Sequence, residues 1–270
     1  GWKVYRWGGP GVSQFVAELA CQGKSGCERS NAAKTWIRNV WITVADHEQP
    51  TLSVSGGLLE PGWKRAEGQL QMRASDIGSG VSALSVSVGG ASVHSSGSLC
   101  TDAISPGLSR SWEPCSPVQN DQTLVDTQRP PFADGENTLR LCAVDFAGNQ
   151  MCTQRGVSVD NAGPVVRFFS ELYAPDPELV RAIATDPHSG LFAGSIGVRP
   201  LRADEWEQLP TQLRGETMEA RVDSSAVPPG EYEFIAYASD VAGNTSTTNQ
   251  RADGEPMILS FPLRDGVQLR

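Results

Sequence analysis

Apolar and polar side chains alternate in short runs along most of this chain. Leu70, Met72 and Ala74 occupy every second place in LQMRAS, and Val180, Ala182 and Ala184 do so in VRAIAT. A period of two puts such side chains on one face of a strand. Each run leads into a glycine-bearing loop, SDIGSG at 75–80 and TDPHSG at 185–190, and then into a second alternating stretch containing Val86 and Val88 or Ile196 and Val198. The pattern predicts strand, loop, strand, written twice.

The end of each unit is also duplicated. GENTLRLCAVDFAGN (135–149) superposes without a gap on GEYEFIAYASDVAGN (230–244), so that Leu139 meets Phe234, Leu141 meets Ala236 and Ala143 meets Ala238. Asp145-x-Ala-Gly-Asn149 reads as a hairpin turn. Its Asp accepts a bond from the backbone two residues on, and Gly148 supplies the left-handed position of a bulge. If Asp145 faces Asn149, counting outward sets Cys142 opposite Cys152. In an antiparallel pair the closer Cα spacing is about 4.5 Å, within disulfide reach.

Three segments open alike: Asp46 to Pro50, Asp160 to Pro164, and Asp253 to Pro256, each followed by an alternating run. Proline suits the first residue of an edge strand, where no ladder donor is needed. The expected domains are therefore 1–46, 47–160 and 161–252, with 253–270 as the first strand of a following domain or a tail. The copies differ in length: Asp76 to Asp145 spans 69 positions and Asp186 to Asp240 spans 54. The excess falls in a Ser/Gly-rich excursion bounded by Cys100 and Cys115.

Composition sharpens this picture. With 28 Gly, 18 Pro and 39 % hydrophobic residues in 270, the chain suits many brief strands in more than one domain, an all-β class. The net charge of −9, without a basic cluster, argues against nucleic acid as a partner. No apolar run is long enough to cross a bilayer. The start, GWKVYRWGG, lacks a Met and a signal-peptide core, so the chain reads as an excised or processed segment. The six cysteines fall as neighbours, Cys21 with Cys27, Cys100 with Cys115 and Cys142 with Cys152, without zinc or redox spacing. Local disulfides in an oxidising, extracellular setting are expected.

A Pro-led first strand, an Asp-x-x-Ser-Gly loop and a closing Asp-x-Ala-Gly-Asn hairpin resemble the bacterial immunoglobulin-like repeats of large secreted and cell-surface proteins, over about residues 47 to 252. The resemblance implies tandem immunoglobulin-like β-sandwiches of roughly seven strands each. Residues 1–46 resemble the closing strands of a lectin-like jelly roll.

In such a topology the loop after the second strand, the last hairpin and the incoming linker share one pole. Asp76 and Asp145 would then gather near Asp46 and Glu48, and Asp186 and Asp240 near Asp160, an oxygen-rich setting that calcium could use. Each Asp already has a turn to cap, however, and loop carboxylates are usually solvated, so the sequence assigns no metal. His47, His94 and His188 are scattered in polar loop contexts, and neither a HExxH run nor a Gly-x-Ser-x-Gly elbow occurs. No catalytic residue and no cofactor are expected. Trp2, Trp7, Trp36 and Trp41 suit core filling better than a sugar platform. Asn244-Thr245-Ser246 matches the glycosylation pattern on a turn and carries no weight. The expected function is a non-catalytic stalk or adhesive segment, with a cell-surface glycan or protein as partner. The alternative is an accessory, carbohydrate-binding region of a secreted carbohydrate-active enzyme.

Overall fold

The computed structural model describes residues 45–111 and 113–263. The expectations for Cys21, Cys27, the four N-terminal tryptophans and a lectin-like segment lie outside these residues. The chain divides after Val44, so Asp46 falls with the residues that follow it, not with the segment before it.

The described residues form antiparallel strands and loops, with one 3-10 turn at Gly57–Leu59 and no α-helix. The first sandwich contains β1 (Thr51–Ser55), β2 (Glu67–Ser75), β3 (Val81–Val88), β4 (Ala91–Ser95), β5 (Ala103–Ser105), β6 (Leu108–Ser109), β7 (Val118–Asp126), β8 (Gly135–Asp145) and β9 (Gln150–Val159). One sheet runs β1-β2-β7 and the other β4-β3-β8-β9, while β5 and β6 pair only with each other. Alternation decides which faces meet. Leu70, Met72 and Ala74 of β2 are buried with Leu84 and Val86 of β3 and with Leu139, Leu141 and Ala143 of β8. Burying each large side chain contributes about 1.5–3 kcal/mol relative to exposure.

The second sandwich repeats the plan with β10 (Val165–Phe168), β11 (Leu179–Thr185), β12 (Leu191–Pro200), β13 (Glu207–Leu209), β14 (Thr211–Arg214), β15 (Thr217–Arg221), β16 (Gly230–Asp240), β17 (Thr245–Thr248) and β18 (Ile258–Phe261). Its sheets run β10-β11-β15-β14 and β13-β12-β16-β17, with β18 also on β16. Phe168, Val180, Ala182, Ala184, Ile196 and Phe234 are buried in a core separate from the first.

The described part of the segment from Asp253, up to Leu263, packs with the second sandwich. β18 pairs with β16 from Gly230↔Phe261 to Glu233↔Ile258, and Met257, Leu259 and Phe261 are buried in the second core. In the first sandwich β9 pairs with the whole of β8, from Val144↔Gln150 to Gly135↔Val159. In the second, the same edge is interrupted after Thr248 and resumes at Ile258. The Asn249 carbonyl accepts the Met257 N–H at 2.7 Å, which pinches off the intervening loop. A proline that restarts an interrupted strand looks, in sequence, like one that begins a domain.

Cys142 lies opposite Cys152 and the two are joined by a disulfide with a Cα separation of 4.1 Å. A second disulfide joins Cys100 to Cys115 at 4.2 Å and closes the insertion that carries β5 and β6. This insertion presses back on the sandwich: a Cβ on Gly80 would lie 2.2 Å from the Cys115 carbonyl oxygen.

Candidate functional site

The Asp-x-Ala-Gly-Asn turn is the keystone of one pole. The Asp145 N–H donates to the Asn149 carbonyl at 3.1 Å, and Gly148 adopts φ 96° to close the hairpin. The Asp145 carboxylate does not cap the N–H two residues on. It accepts the Asn149 N–H and the Asn149 side-chain amide, both at 2.8 Å. That amide also donates to the Asp46 carbonyl at 3.1 Å, which fastens the incoming linker to the hairpin. Asp46 in turn accepts the Ser79 N–H at 2.7 Å, and Asp76 accepts the Gly80 N–H at 2.7 Å. The Ser79 hydroxyl oxygen receives the Ala147 N–H at 3.1 Å.

The second sandwich builds the same cage bond for bond. Asp240 accepts the Asn244 N–H and side-chain amide, both at 2.8 Å, and the Asn244 amide donates to the Asp160 carbonyl at 3.0 Å. Asp160 accepts the Ser189 N–H at 3.1 Å, Asp186 the Gly190 N–H at 2.7 Å, and Ser189 the Ala242 N–H at 3.3 Å. Asn149, Asn244, Ser79 and Ser189, motif positions to which the sequence assigned no bonding role, are therefore structural keystones. The available signal was their presence at the same offset in both copies. Because its amide is committed to three acceptors, Asn244 is occupied within the cage.

Each cage gathers three carboxylates. Asp46, Asp76 and Asp145 can each present an oxygen within 4.8 Å of the others, as can Asp160, Asp186 and Asp240; Glu48 stands outside the first set. Asp76 and Asp145 are 4 % and 1 % exposed, Asp160 and Asp240 0 % and 2 %. Among the described residues no Lys or Arg forms an ion pair with any of the six. Burial pushes the Asp76 carboxyl above its ordinary value, and the neighbouring charges of Asp46 and Asp145 push it further, against the opposing Gly80 N–H. For Asp46 burial also raises, but the Ser79 hydroxyl and the Ser79 and Glu48 N–H groups outweigh it and hold that carboxyl low.

His94 is not in a loop: it lies on β4 and its Nε2 meets Asp121 Oδ2 at 2.6 Å. His47 and His188 are in loops, and the histidines form no common site. A groove of about 580 Å³ on the second sandwich is lined by Tyr173, Arg181, Gln212, Arg214, Glu219 and Arg221. The Arg181 guanidinium lies 4.6 Å from the centre of the Phe169 ring and 4.4 Å from that of Tyr173, with its Nε buried and unpartnered.

No protein-family model matches the chain, and no curated protein does. Among solved structures, the chain is similar to dimeric latent PorU from Porphyromonas gingivalis at 15 % identity and TM-score 0.29, covering 74 % of this chain and 20 % of that one. It is similar to BcpA, the major pilin subunit of Bacillus cereus, at 11 % identity and TM-score 0.24, over 82 % and 69 % of the two chains. It is also similar to the sialic acid binding region of a Streptococcus sanguinis SK1 adhesin, at 13 % identity and TM-score 0.22, over 79 % and 77 %.

Proposed function

We propose that this chain is a non-catalytic structural and adhesive segment of a secreted or surface-displayed bacterial protein, its two immunoglobulin-like sandwiches serving as stalk or binding modules. The observation that carries this reading is the junction between them. Asn161 bonds backward: its N–H donates to Asp134 at 2.7 Å, its side-chain oxygen accepts the Ala66 N–H at 2.8 Å, and its amide donates to the Thr127 carbonyl at 2.9 Å. Asp160, one residue earlier, bonds forward into the cage of the second sandwich. A linker held on both sides resists bending, as a spacer must, and the two disulfides of the first sandwich suit an oxidising compartment. Small-angle scattering on the full chain tests the stalk. The wild type should fit one arrangement of the two sandwiches, and Asn161→Ala should broaden it. A wild type already as broad as the variant overturns the reading.

The Arg181 groove favours a second reading, an accessory region that binds carbohydrate, because aromatic and guanidinium faces beside hydrogen-bonding side chains suit an acidic sugar. On a glycan array the full chain should bind acidic glycans. Arg181→Ala should weaken that binding about tenfold, the loss of one charged hydrogen bond. An array without signal removes this reading.

A further inference from the structure

We propose that each trio of aspartates, Asp46 with Asp76 and Asp145 and Asp160 with Asp186 and Asp240, binds one hard divalent cation of the calcium class. Turn capping accounts for one oxygen of Asp76 and one of Asp186, those that receive the Gly80 and Gly190 N–H groups. It does not account for the others. Asp76 Oδ1 is buried without a donor, in a residue 4 % exposed, and Asp186 Oδ2 is the orphan at the equivalent place in the second sandwich. A buried acceptor left unpaired costs about 1–3 kcal/mol, more if charged, so the same orphan appearing twice calls for a ligand.

The geometry fits such an ion. Oxygens bound to one calcium at 2.3–2.6 Å lie no more than about 5 Å apart, and the three carboxylates of each set can present oxygens within 4.8 Å of one another. The N–H groups of the cage supply partial charges only, and three carboxylates converge without a Lys or Arg partner among the described residues. Oxygens that already accept one hydrogen bond keep a lone pair for metal, and water completes the shell. The rival occupant is a proton held by Asp76, which would relieve the same repulsion. In the second set Asp160 comes from the linker between the sandwiches, so an ion there ties the linker to both loops of that pole. Cation binding itself does not depend on the stalk reading.

The test uses the full chain stripped with chelator and titrated with terbium, followed by sensitised luminescence and displacement with calcium. Two ions per chain are expected, one in Asp76→Asn or Asp186→Asn and none in the double variant. Thermal melts distinguish the proton. With chelator, Asp76→Asn should melt at or above the wild type, because the substitution removes a charge from the trio. With millimolar calcium it should melt below the wild type, because only the wild type gains the ion. Stoichiometry unchanged in the double variant, a wild-type melt indifferent to calcium, or the same wild-type-to-variant difference in both conditions would overturn the site.

Discussion

The two sandwiches agree where loops converge and differ where strands run along an edge. At the pole, the Asp, Ser, Gly and Asn of each copy make the same bonds, to within 0.5 Å in length. Elsewhere each copy elaborates freely: the first carries a disulfide-closed excursion with its own two-stranded hairpin, the second adds β14 and interrupts its last strand. The cage tolerates no such freedom, because its backbone N–H groups and the two asparagine amides are bonded to specific acceptors, and a buried group that loses its partner cannot turn to water instead. Edges face solvent, so an added loop there costs only its closure entropy.

The interrupted edge of the second sandwich answers to the continuous edge of the first. Gly135 pairs with Val159 and Gly230 with Phe261, so Phe261 holds the place of Val159, and both are buried. Phe261 also packs on Tyr232 and Phe234, with ring centres 5.2 and 6.4 Å away. Phe261→Ala should therefore destabilise the second sandwich by about 3–5 kcal/mol. Hydrogen exchange should show lost protection in β16 and β11 while β8 keeps its own. An exchange pattern unchanged in β16 would separate residues 258–261 from the second domain.

A sharper contrast lies at one glycine. Gly80 and Gly190 both sit at φ 79° in the same loop of the two copies. A Cβ on Gly190 would meet nothing within 4 Å, whereas on Gly80 it would strike the Cys115 carbonyl. Gly190→Ala should cost about 1–2 kcal/mol, the left-handed conformation alone. Gly80→Ala should cost about 1–3 kcal/mol more, because backbone must shift as well. Denaturant midpoints for the two variants measure the difference, and equal losses would mean that the insertion does not press on the pole.

Much of this was legible in the sequence because two local rules sufficed. Alternation identified the facing strands, and the count outward from Asp145 and Asn149 set Cys142 against Cys152 in register. The pole itself followed from topology: Asp76, Asp145 and Asp46 arrive from three segments that any such sandwich brings to one end. What was not legible depended on partners distant in sequence. Nothing local shows that Asn149 reaches back to Asp46 across 103 positions, that Asp145 serves the residue four ahead rather than two, or that His94 finds Asp121 across a strand edge. Pro256 misled for a physical reason, since it marks the start of a strand and carries no information about which sheet receives it.

The smallest expected effect separates the first trio into its members by pH. Asp76 has its carboxyl raised in the fold, so the stability it contributes is complete below the ordinary value of 3.8 and is lost as pH climbs through the raised one. Asp46 has its carboxyl lowered, so its contribution is complete above 3.8 and is lost as pH falls through the lowered value. The two windows lie on opposite sides of 3.8 and can be read separately. In chelator, denaturant unfolding of the first sandwich between about pH 3 and pH 7 should show the wild type losing ground to Asp76→Asn as pH rises above that point, since the amide cannot charge. Parallel curves for the two proteins would mean that Asp76 feels neither its burial nor its two acidic neighbours. Millimolar calcium should close the gap and then reverse it, because an ion neutralises the carboxylates that the proton no longer covers, and the amide offers it a weaker ligand.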